Sequence, residues 1–181
     1  MQTYIAILRG INVSGANKIK MDDLRARLTD LGFQNVKTYI QSGNVIFDYK
    51  PIDPLVLAKK LQQKIKEEYS YKVPVIVAGA EELKQVIINN PFLKERNEDP
   101  GKLHVTFLAE PANDENMSKI DASGYLPDEF KINGKEVYLF CPNGYGRTKL
   151  TNNFFESKLK VTATTRNWKT VNTLLNMAYE Q

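Results

Sequence analysis

The sequence predicts an α+β fold with antiparallel sheets, written twice along the chain. Two observations lead to this prediction. The predicted elements of residues 3–90 follow the order strand, helix, two strands, helix, strand and helix, and the same order recurs over residues 102–181. An internal repeat of this kind defines the architecture before any single motif is weighed. Without its last helix, each copy is the βαββαβ unit of ferredoxin-like domains.

The two predicted halves span residues 1–95 and 102–181, and an acidic stretch around residues 95–101 joins them. Several strands are apolar at every position; in the first strand, Ile5 and Ile7 alternate with other apolar residues. Strands of this kind require cover on both faces. We therefore expect the two ferredoxin-like halves to pack intimately, rather than to form separate domains on a linker.

Each element of the first half has a clear signal. Its strands are short runs of branched apolar residues, and its helices carry apolar residues at three- and four-residue spacing. Gly32 suits the left-handed end of the first helix, and Asp53 followed by Pro54 suits the start of the second. A loop with Gly43 and Asn44 available for positive φ joins the middle strands. The predicted strands are residues 4–9, 36–40, 45–49 and 73–78, and the predicted helices are 21–31, a segment starting at 53, and 81–90, ended by Pro91.

The second half repeats this arrangement. Asn133-Gly134 between two strands is a strong signal for a type I′ hairpin turn. Thr148 or Thr151 begins the middle helix, and Asn167 is a good N-cap for the closing one. The predicted strands are residues 103–108, 129–132, 135–140 and 161–165, and a short helix is predicted at 114–120.

Composition predicts a cytoplasmic globular protein with no membrane segment. The chain has 181 residues, of which 42% are hydrophobic, and this length can bury a substantial core. Its apolar runs are far shorter than the roughly 20 residues of a membrane helix, and its first residues lack the pattern of a secretion signal. The single cysteine, Cys141, cannot form an internal disulfide, which suits a reducing compartment.

The net charge of +4 is unevenly distributed along the chain. Residues 1–50 carry seven basic and four acidic side chains, and residues 147–181 carry six and two. Residues 51–146 have a net charge of −3. If folding brought the first and last segments together, their fields would add into one positive surface.

Four polar stretches lie in or beside these basic segments. They read LRGINV at residues 8–13, TYIQSGNVIF at 38–47, TKLTNN at 148–153 and TTRNWKTV at 164–171. Together they resemble a bacterial family called domain of unknown function 1697, over nearly the whole chain. The resemblance implies two ferredoxin-like halves and no particular activity, because none is established for the family. Ser14 and Lys169 depart from the family pattern, which often has glycine and asparagine there.

Two loops of the first half are candidate binding elements. Spaced glycines ahead of a helix can hold a phosphate through backbone N–H groups, although the spacing after the first strand matches no phosphate-binding fingerprint. The structural alternatives are a wide turn for this loop and an ordinary hairpin for the loop around Gly43. The candidate ligand-binding residues of this half are Arg9, Asn12, Lys18, Ser42 and Asn44.

The second half places basic residues at predicted helix starts. A helix N-terminus carries partial positive charge, so a cation is unfavourable there unless an anion compensates it. Lys149 and Arg166 lie at such positions. The structural alternatives are a capping role for Asn167 and an ion pair for Arg166. The candidates of this half are Arg147, Lys149, Asn152, Arg166 and Asn167.

Residues for acid–base, nucleophilic or metal chemistry are scarce. His104 is the only histidine, and its place on a predicted strand favours a surface or lightly packed position. Cys141 follows an apolar strand, which favours an inert buried thiol. No spacing predicts a metal site, and no Ser–His or Cys–His pair can be assembled. We expect no cofactor and no metal, and the sequence leaves open whether the protein is an enzyme.

Three hypotheses remain for function. The leading one is a protein that binds an anionic ligand, single-stranded nucleic acid or a phosphorylated metabolite, through a basic site built from both chain ends. The second is an enzyme acting on a phosphorylated or carboxylated small molecule, with Ser42 or Thr148 near the reacting atom. The third is a non-catalytic assembly or regulatory partner, with a homodimer as one form. Stacking on nucleic acid bases would use the aromatic residues Tyr4, Tyr39, Phe47 and Tyr49.

Overall fold

A computed structural model describes residues 1–180 and divides them into two compact units. The first unit contains Met1–Lys84 and the residues from Thr173 onward, and the second contains Gln85–Asn172. The boundaries between the units fall after Lys84 and after Asn172. The acidic stretch at residues 95–101 therefore lies within the second unit. Each unit contains one four-stranded antiparallel sheet, so the chain has the mixed α+β architecture that the sequence predicts.

The sheet of the first unit has the strand order β2-β3-β1-β4, and all neighbouring strands are antiparallel. Helix α1 follows β1 and helix α2 follows β3, so the elements run βαββαβ, and α3 begins directly after β4. Every element predicted for this part of the chain is present. The bounds are β1 (Gln2–Leu8), α1 (Met21–Asp30), β2 (Gln34–Tyr39), β3 (Asn44–Tyr49), α2 (Pro54–Tyr69), β4 (Val75–Gly79) and α3 (Ala80–Ile88). Helix α3 begins in the first unit, and its residues from Gln85 onward belong to the second.

Both faces of β1 are buried. Tyr4, Ala6 and Leu8 belong to a hydrophobic cluster that also contains residues of α1 and α2. The residues between them, Ile5 and Ile7, point to the opposite face and are at most 1% exposed. The prediction that this strand is covered on both faces is therefore confirmed.

The sheet of the second unit has the strand order β6-β7-β5-β8, again entirely antiparallel. Adding four to each strand number of the first sheet gives this order, so the two units have the same connectivity. The bounds are α4 (Pro91–Arg96), β5 (Leu103–Leu108), α5 (Asp114–Ser118), β6 (Glu129–Asn133), β7 (Glu136–Phe140), α6 (Asn152–Leu159), β8 (Ala163–Asn167) and α7 (Trp168–Tyr179). Helix α7 begins in the second unit, and its residues from Thr173 onward belong to the first.

Two helix starts in the second unit use the capping residues that the sequence suggests. The Thr151 Oγ1 accepts a hydrogen bond from the Phe154 N–H at 3.2 Å, which selects Thr151 rather than Thr148 as the N-cap of α6. The Asn167 Oδ1 accepts from the Thr170 N–H at 2.8 Å. Each bond satisfies a backbone donor that has no partner within its helix.

Helix α4 is absent from the prediction, which treats Pro91 only as the end of α3 and the following residues as a linker. Pro91 instead occupies the first turn of a new helix, where its missing N–H costs nothing. The Asn90 Oδ1 accepts a hydrogen bond from the Phe92 N–H at 3.0 Å and caps this helix. An Asn-Pro pair ends one helix and begins the next.

The turn between β6 and β7 is not of the predicted type. The register pairs Asn133 with Glu136, so the two central residues are Gly134 and Lys135. Of these two, only Gly134 has a positive φ, at 61°. A type I′ turn requires positive φ at both central positions, so the type I′ prediction is wrong although the hairpin itself is confirmed.

The hairpin between β2 and β3 is pressed against the end of β1. Positive φ falls on Gly43, at 90°, and on Ile40, at 50°, whereas Asn44 begins β3 rather than taking the left-handed conformation predicted for it. A β-branched residue with positive φ is strained. The Gly43 carbonyl accepts a hydrogen bond from the Leu8 N–H at 2.8 Å. A Cβ added to Gly43 would lie only 2.7 Å from the Leu8 Cβ.

Replacement of Gly43 by alanine should lower the free energy of unfolding by about 2–4 kcal/mol, because the new Cβ overlaps Leu8 in a left-handed backbone. Gly10→Ala is the matched control, since Gly10 has a φ of 74° but no atom within 4 Å of an added Cβ. The control should lose only about 1–2 kcal/mol. Urea denaturation followed by circular dichroism measures both values, and equal losses in the two variants would contradict the packing argument.

Candidate functional site

The first-unit candidates lie at one end of the sheet, where the β1–α1 loop meets the β2–β3 hairpin. The Asn12 Nδ2 donates to the Gln41 carbonyl across this junction at 2.8 Å. Arg9 directly follows β1, and its N–H donates to the Pro74 carbonyl at 3.0 Å, just before β4. The candidate residues at this end are Arg9, Asn12, Lys18, Ser42 and Asn44.

Asn12 holds the β1–α1 loop closed. Its Oδ1 accepts a hydrogen bond from the Ile19 N–H at 2.8 Å, and its Nδ2 donates back to the Ile19 carbonyl at 2.9 Å. Asn17 adds a second clamp, because its Nδ2 donates to the Gly10 carbonyl at 3.0 Å. Both asparagines have positive φ, a conformation that asparagine tolerates better than most residues. The Asn12 amide therefore shapes the loop, with both donors directed at backbone carbonyls.

Asn44 has a similar internal role in the hairpin. It is completely buried, and its Nδ2 donates to the Tyr39 carbonyl at 3.0 Å and to the Ser42 Oγ at 3.1 Å. Ser42 is half-buried beside it. The Asn44 amide is thus directed into the hairpin and not towards a ligand, and we leave it out of the site proposed below.

A cavity of about 740 Å³ opens between the β1–α1 loop and the hairpin. Its volume falls in the range of about 300–1,000 Å³ that is typical of small-molecule sites. Lys18 and Lys20 are exposed at its edge, and neither forms an ion pair within residues 1–180. The lining residues are Asn12, Gly15, Lys18, Ile19, Lys20, Met21, Asp22 and Gln41.

Helix α1 begins at this cavity without a side-chain cap. Its N-cap residue is Lys20, whose side chain makes no hydrogen bond to the first turn. The two acidic residues of that turn already have partners: Asp22 pairs with Arg25, and the Asp23 Oδ2 accepts from the Tyr69 Oη at 2.5 Å. Burial, together with this hydrogen bond, raises the pKa of Tyr69 well above its usual value. The carboxylates at this helix start are therefore paired, whereas the lysines are not.

Lys20 is not among the candidate residues predicted from the sequence. The available signal is its position directly before a predicted helix, where Ser, Thr, Asp or Asn is favoured and lysine is not. Lysine has no acceptor with which to cap a helix. A lysine at this position adds to the positive end of the helix instead of neutralising it.

The first-unit aromatic residues do not form a stacking surface for bases. Tyr4 and Phe47 are completely buried, with ring centroids 5.8 Å apart. Tyr39 and Tyr49 are half-buried, and Tyr49 packs edge-on against Phe33 at 5.1 Å. The structure therefore excludes Tyr4 and Phe47 from contact with a nucleic acid, contrary to the use suggested for them from sequence.

In the second unit, a chain of hydrogen bonds joins β5, β8 and the start of α6. The Thr106 and Thr165 Oγ1 atoms are 2.7 Å apart, and the Thr165 Oγ1 donates to the Asn152 Oδ1 at 2.7 Å. Asn152 is the first residue of α6, and Asn167 ends β8 two residues after Thr165. Residues two apart on a strand share a face, so Asn152 and Asn167 belong to the same side of this sheet.

Arg166 lies on the opposite side of the sheet. The register pairs Arg166 with Val105, and Asn167 with His104, and successive strand residues point to opposite faces. The side chain of Arg166 is half-buried, and burial lowers the pKa of Arg166 to about 10. The second-half candidates therefore do not form one cluster, because the sheet separates Arg166 from Asn152 and Asn167.

Arg147 and Lys149 line a second, smaller cavity of about 240 Å³. Both side chains are exposed, and neither has an ion-pair partner in the described part of the chain. They belong to the loop between β7 and α6, and the segment directly before β6 supplies most of the other lining residues. The lining residues are Gly124, Tyr125, Leu126, Pro127, Asp128, Asn143, Arg147 and Lys149.

His104 and Cys141 are both shielded from solvent. His104 is half-buried and stacks on Tyr145 with ring centroids 4.8 Å apart, and burial lowers the pKa of His104. Cys141 is buried, and burial raises its pKa to about 11, which keeps the thiol protonated and unreactive. Within residues 1–180, no group of His, Cys, Asp and Glu side chains is arranged to hold a metal ion.

A family model described as protein of unknown function (DUF1697) matches residues 1–138. The chain belongs to this family. The family predicted from the polar stretches is thus confirmed, although the stretches at residues 148–153 and 164–171 lie outside the matched range. The matched range includes the β1–α1 loop and the β2–β3 hairpin, and it ends before Arg147 and the other second-half candidates.

The fold is also similar to a solved structure, that of the conserved bacterial protein SP0830 from Streptococcus pneumoniae. The two chains share 24% sequence identity, with a TM-score of 0.76 over 98% of each chain. At this level of identity the similarity shows a common fold and no common activity. The comparison with curated proteins found no match. No helix within residues 1–180 has both the length and the apolar composition of a bilayer-crossing segment.

Lowering the pH through the range of histidine titration should destabilise the protein through His104. Burial lowers the pKa of His104 in the folded protein from its ordinary value of 6.5, so near this pH the unfolded chain binds more protons. Stability is therefore full above pH 6.5 and falls as the pH drops towards the lowered folded value. Urea denaturation at pH 7.5 and pH 5.5 measures the effect, and His104→Gln should flatten it. An equal pH response in that variant would show that His104 is not the cause.

Proposed function

We propose that this protein binds a small phosphorylated ligand in the first-unit cavity, with Lys18 and Lys20 as its cationic contacts. One observation carries the proposal: two exposed lysines without acidic partners line a cavity of about 740 Å³ at the uncapped start of α1. The site proposed here is smaller than the basic site expected from sequence, which used both chain ends. Residues of the first unit alone line the cavity.

Positive charge from the helix and from two lysines meets at this cavity. The start of α1 contributes partial positive charge and backbone N–H donors, and Lys18 and Lys20 add two full charges. Asp22 is the one acidic residue among the described lining residues, and its charge is balanced by Arg25. An anion in the cavity would offset the repulsion between these positive groups.

A small phosphorylated molecule fits this cavity better than single-stranded nucleic acid. Sequence-tolerant binding of single strands uses aromatic platforms on which successive bases stack. Tyr4 and Phe47 are completely buried, and no aromatic residue is among the described residues that line the cavity. Because the lining contains lysines and no aromatic residue, the phosphate group is the part of the ligand that it can recognise.

The other first-unit candidates support the cavity in different ways. Asn12 and Asn44 hold the loop and the hairpin in shape, so they position the walls. Arg9 and Ser42 border the same end of the sheet. Binding is also better supported than catalysis. Asp22 is the only carboxylate among the described lining residues, and its ion pair with Arg25 makes it a poor group for proton transfer.

We further propose that each unit is a ferredoxin-like domain and that the chain arose by duplication of one of them. Support comes from the βαββαβ order of both units and from their equivalent strand orders, β2-β3-β1-β4 and β6-β7-β5-β8. Helices α3 and α7 occupy equivalent places after the fourth strand of each unit, as a duplication that included this helix would give.

The test is calorimetric titration of the protein with inorganic phosphate, pyrophosphate and phosphoenolpyruvate at low and at physiological salt. The double variant Lys18→Gln/Lys20→Gln should weaken binding of the tightest probe roughly a hundredfold or more, because each of the two charged hydrogen bonds that it removes contributes about 1.5–3 kcal/mol. Lys158→Gln/Lys160→Gln removes the same charge from exposed positions at the end of α6 and should leave the affinity nearly unchanged.

Two results would overturn the proposal. Equal weakening in both double variants would mean that overall charge, rather than this cavity, attracts the anion. Binding of a short oligothymidylate in a fluorescence anisotropy assay, without binding of any of the three small phosphates, would identify nucleic acid as the ligand instead.

A further inference from the structure

The second-unit cavity presents charges of both signs that are not paired with each other. Arg147, Lys149 and Asp128 all line it. None of the three forms a salt bridge with any residue in the described range 1–180. Asn143 adds an uncharged amide to the same lining. The cavity thus offers two cations and one carboxylate to whatever enters it.

The backbone that carries the two cations is fixed. Thr148, the residue between them, is 8% exposed, and its Oγ1 accepts a hydrogen bond from the Leu150 N–H at 3.1 Å. The Thr148 N–H donates to the Tyr145 carbonyl at 3.2 Å. Because Thr148 is anchored inward, the side chains on either side of it start from defined positions at the cavity wall.

The carboxylate wall is also held in place. The Asp128 N–H donates to the Tyr125 carbonyl at 3.0 Å, which closes the turn before β6. Asp128 is half-buried. Burial raises the pKa of Cys141, and the charge of Asp128 adds to that rise, so this carboxylate lies near the end of β7, where the loop with the two cations begins.

We propose that this cavity binds an acidic α-amino acid, L-glutamate or L-aspartate. The ligand's ammonium group contacts Asp128, and its two carboxylates contact Arg147 and Lys149. This ligand class has one positive and two negative groups. These charges are complementary to the two cations and one carboxylate of the cavity. Arg147 is suited to a carboxylate because its guanidinium can bind both oxygens at once.

Other small anions match the cavity less completely. A phosphate or a simple dicarboxylate would satisfy the two cations but would bring negative charge towards Asp128. A neutral amino acid would leave one cation without a partner. The volume of about 240 Å³ lies below the range typical of drug-sized ligands, which favours a compact metabolite over a nucleotide.

The experiment compares three ligands that differ by one charged group. Calorimetric titrations use L-glutamate, glutarate, which lacks the ammonium group, and L-glutamine, which lacks the second carboxylate. The wild-type protein should bind L-glutamate roughly tenfold or more tightly than either analogue, since each lost charged contact has an effect of this size.

Variants then assign each preference to a residue. Asp128→Asn should abolish the preference for L-glutamate over glutarate, because it removes the partner of the ammonium group. Arg147→Gln and Lys149→Gln should each weaken L-glutamate binding roughly tenfold, and one of them should abolish the preference over L-glutamine. Glu110→Gln is the matched control for Asp128→Asn, since Glu110 is exposed and outside this cavity, and it should bind as the wild type does.

Three results would overturn the inference: no binding of L-glutamate at millimolar concentration, equal affinity of the wild type for L-glutamate and glutarate, or an unchanged preference in Asp128→Asn. Lys18→Gln/Lys20→Gln should retain L-glutamate binding. A failure here therefore leaves the phosphate proposal for the first unit untouched, and the reverse holds as well.

Discussion

The close approach of the Gly43 backbone to the end of β1 is the constraint on which the first-unit cavity depends. The 2.8 Å hydrogen bond from the Leu8 N–H to the Gly43 carbonyl brings the hairpin within reach of the β1–α1 loop. Only then can the Asn12 Nδ2 donate to the Gln41 carbonyl. The gap between Gly43 and Leu8 is too small for a Cβ on Gly43. This close contact thus determines where both walls of the cavity lie.

The alternation of side chains along β8 has the corresponding effect in the second unit. Thr165 and Asn167 face the side of the sheet where α6 begins, and Thr165 bonds to Asn152 there. Arg166, between them in sequence, faces the other side opposite Val105. A polar stretch that is continuous in sequence therefore supplies two surfaces, and neighbouring candidate residues are separated by the thickness of a sheet.

Local patterns predict the order of elements well, because apolar spacing and caps such as Asp53 and Thr151 act over a few residues. Helix α4 escapes prediction because Pro91 ends one helix and starts another. The roles of site residues are harder to predict, since they depend on distant partners. Asn12 appears in the sequence as a polar loop residue with free donors, and only the fold brings the Gln41 carbonyl, 29 residues away, to its amide. Asn44 likewise becomes buried only when the hairpin folds and the Tyr39 carbonyl accepts from its amide.

Burial of the central strands leaves the sheet ends as the place where charged side chains without partners are found. In β1, Tyr4 to Leu8 are all buried, and in β5 only His104 is not fully buried, so neither strand offers an open face. Charged side chains without partners then appear in loops: Lys18 in the β1–α1 loop, and Arg147 in the β7–α6 loop. These two loops are not equivalent, since the counterpart of β7–α6 in the first unit is β3–α2. Equal connectivity has therefore not produced equal sites. Loop sequence decides where a cavity forms and which charges line it, and the two units therefore present cavities of different size and charge.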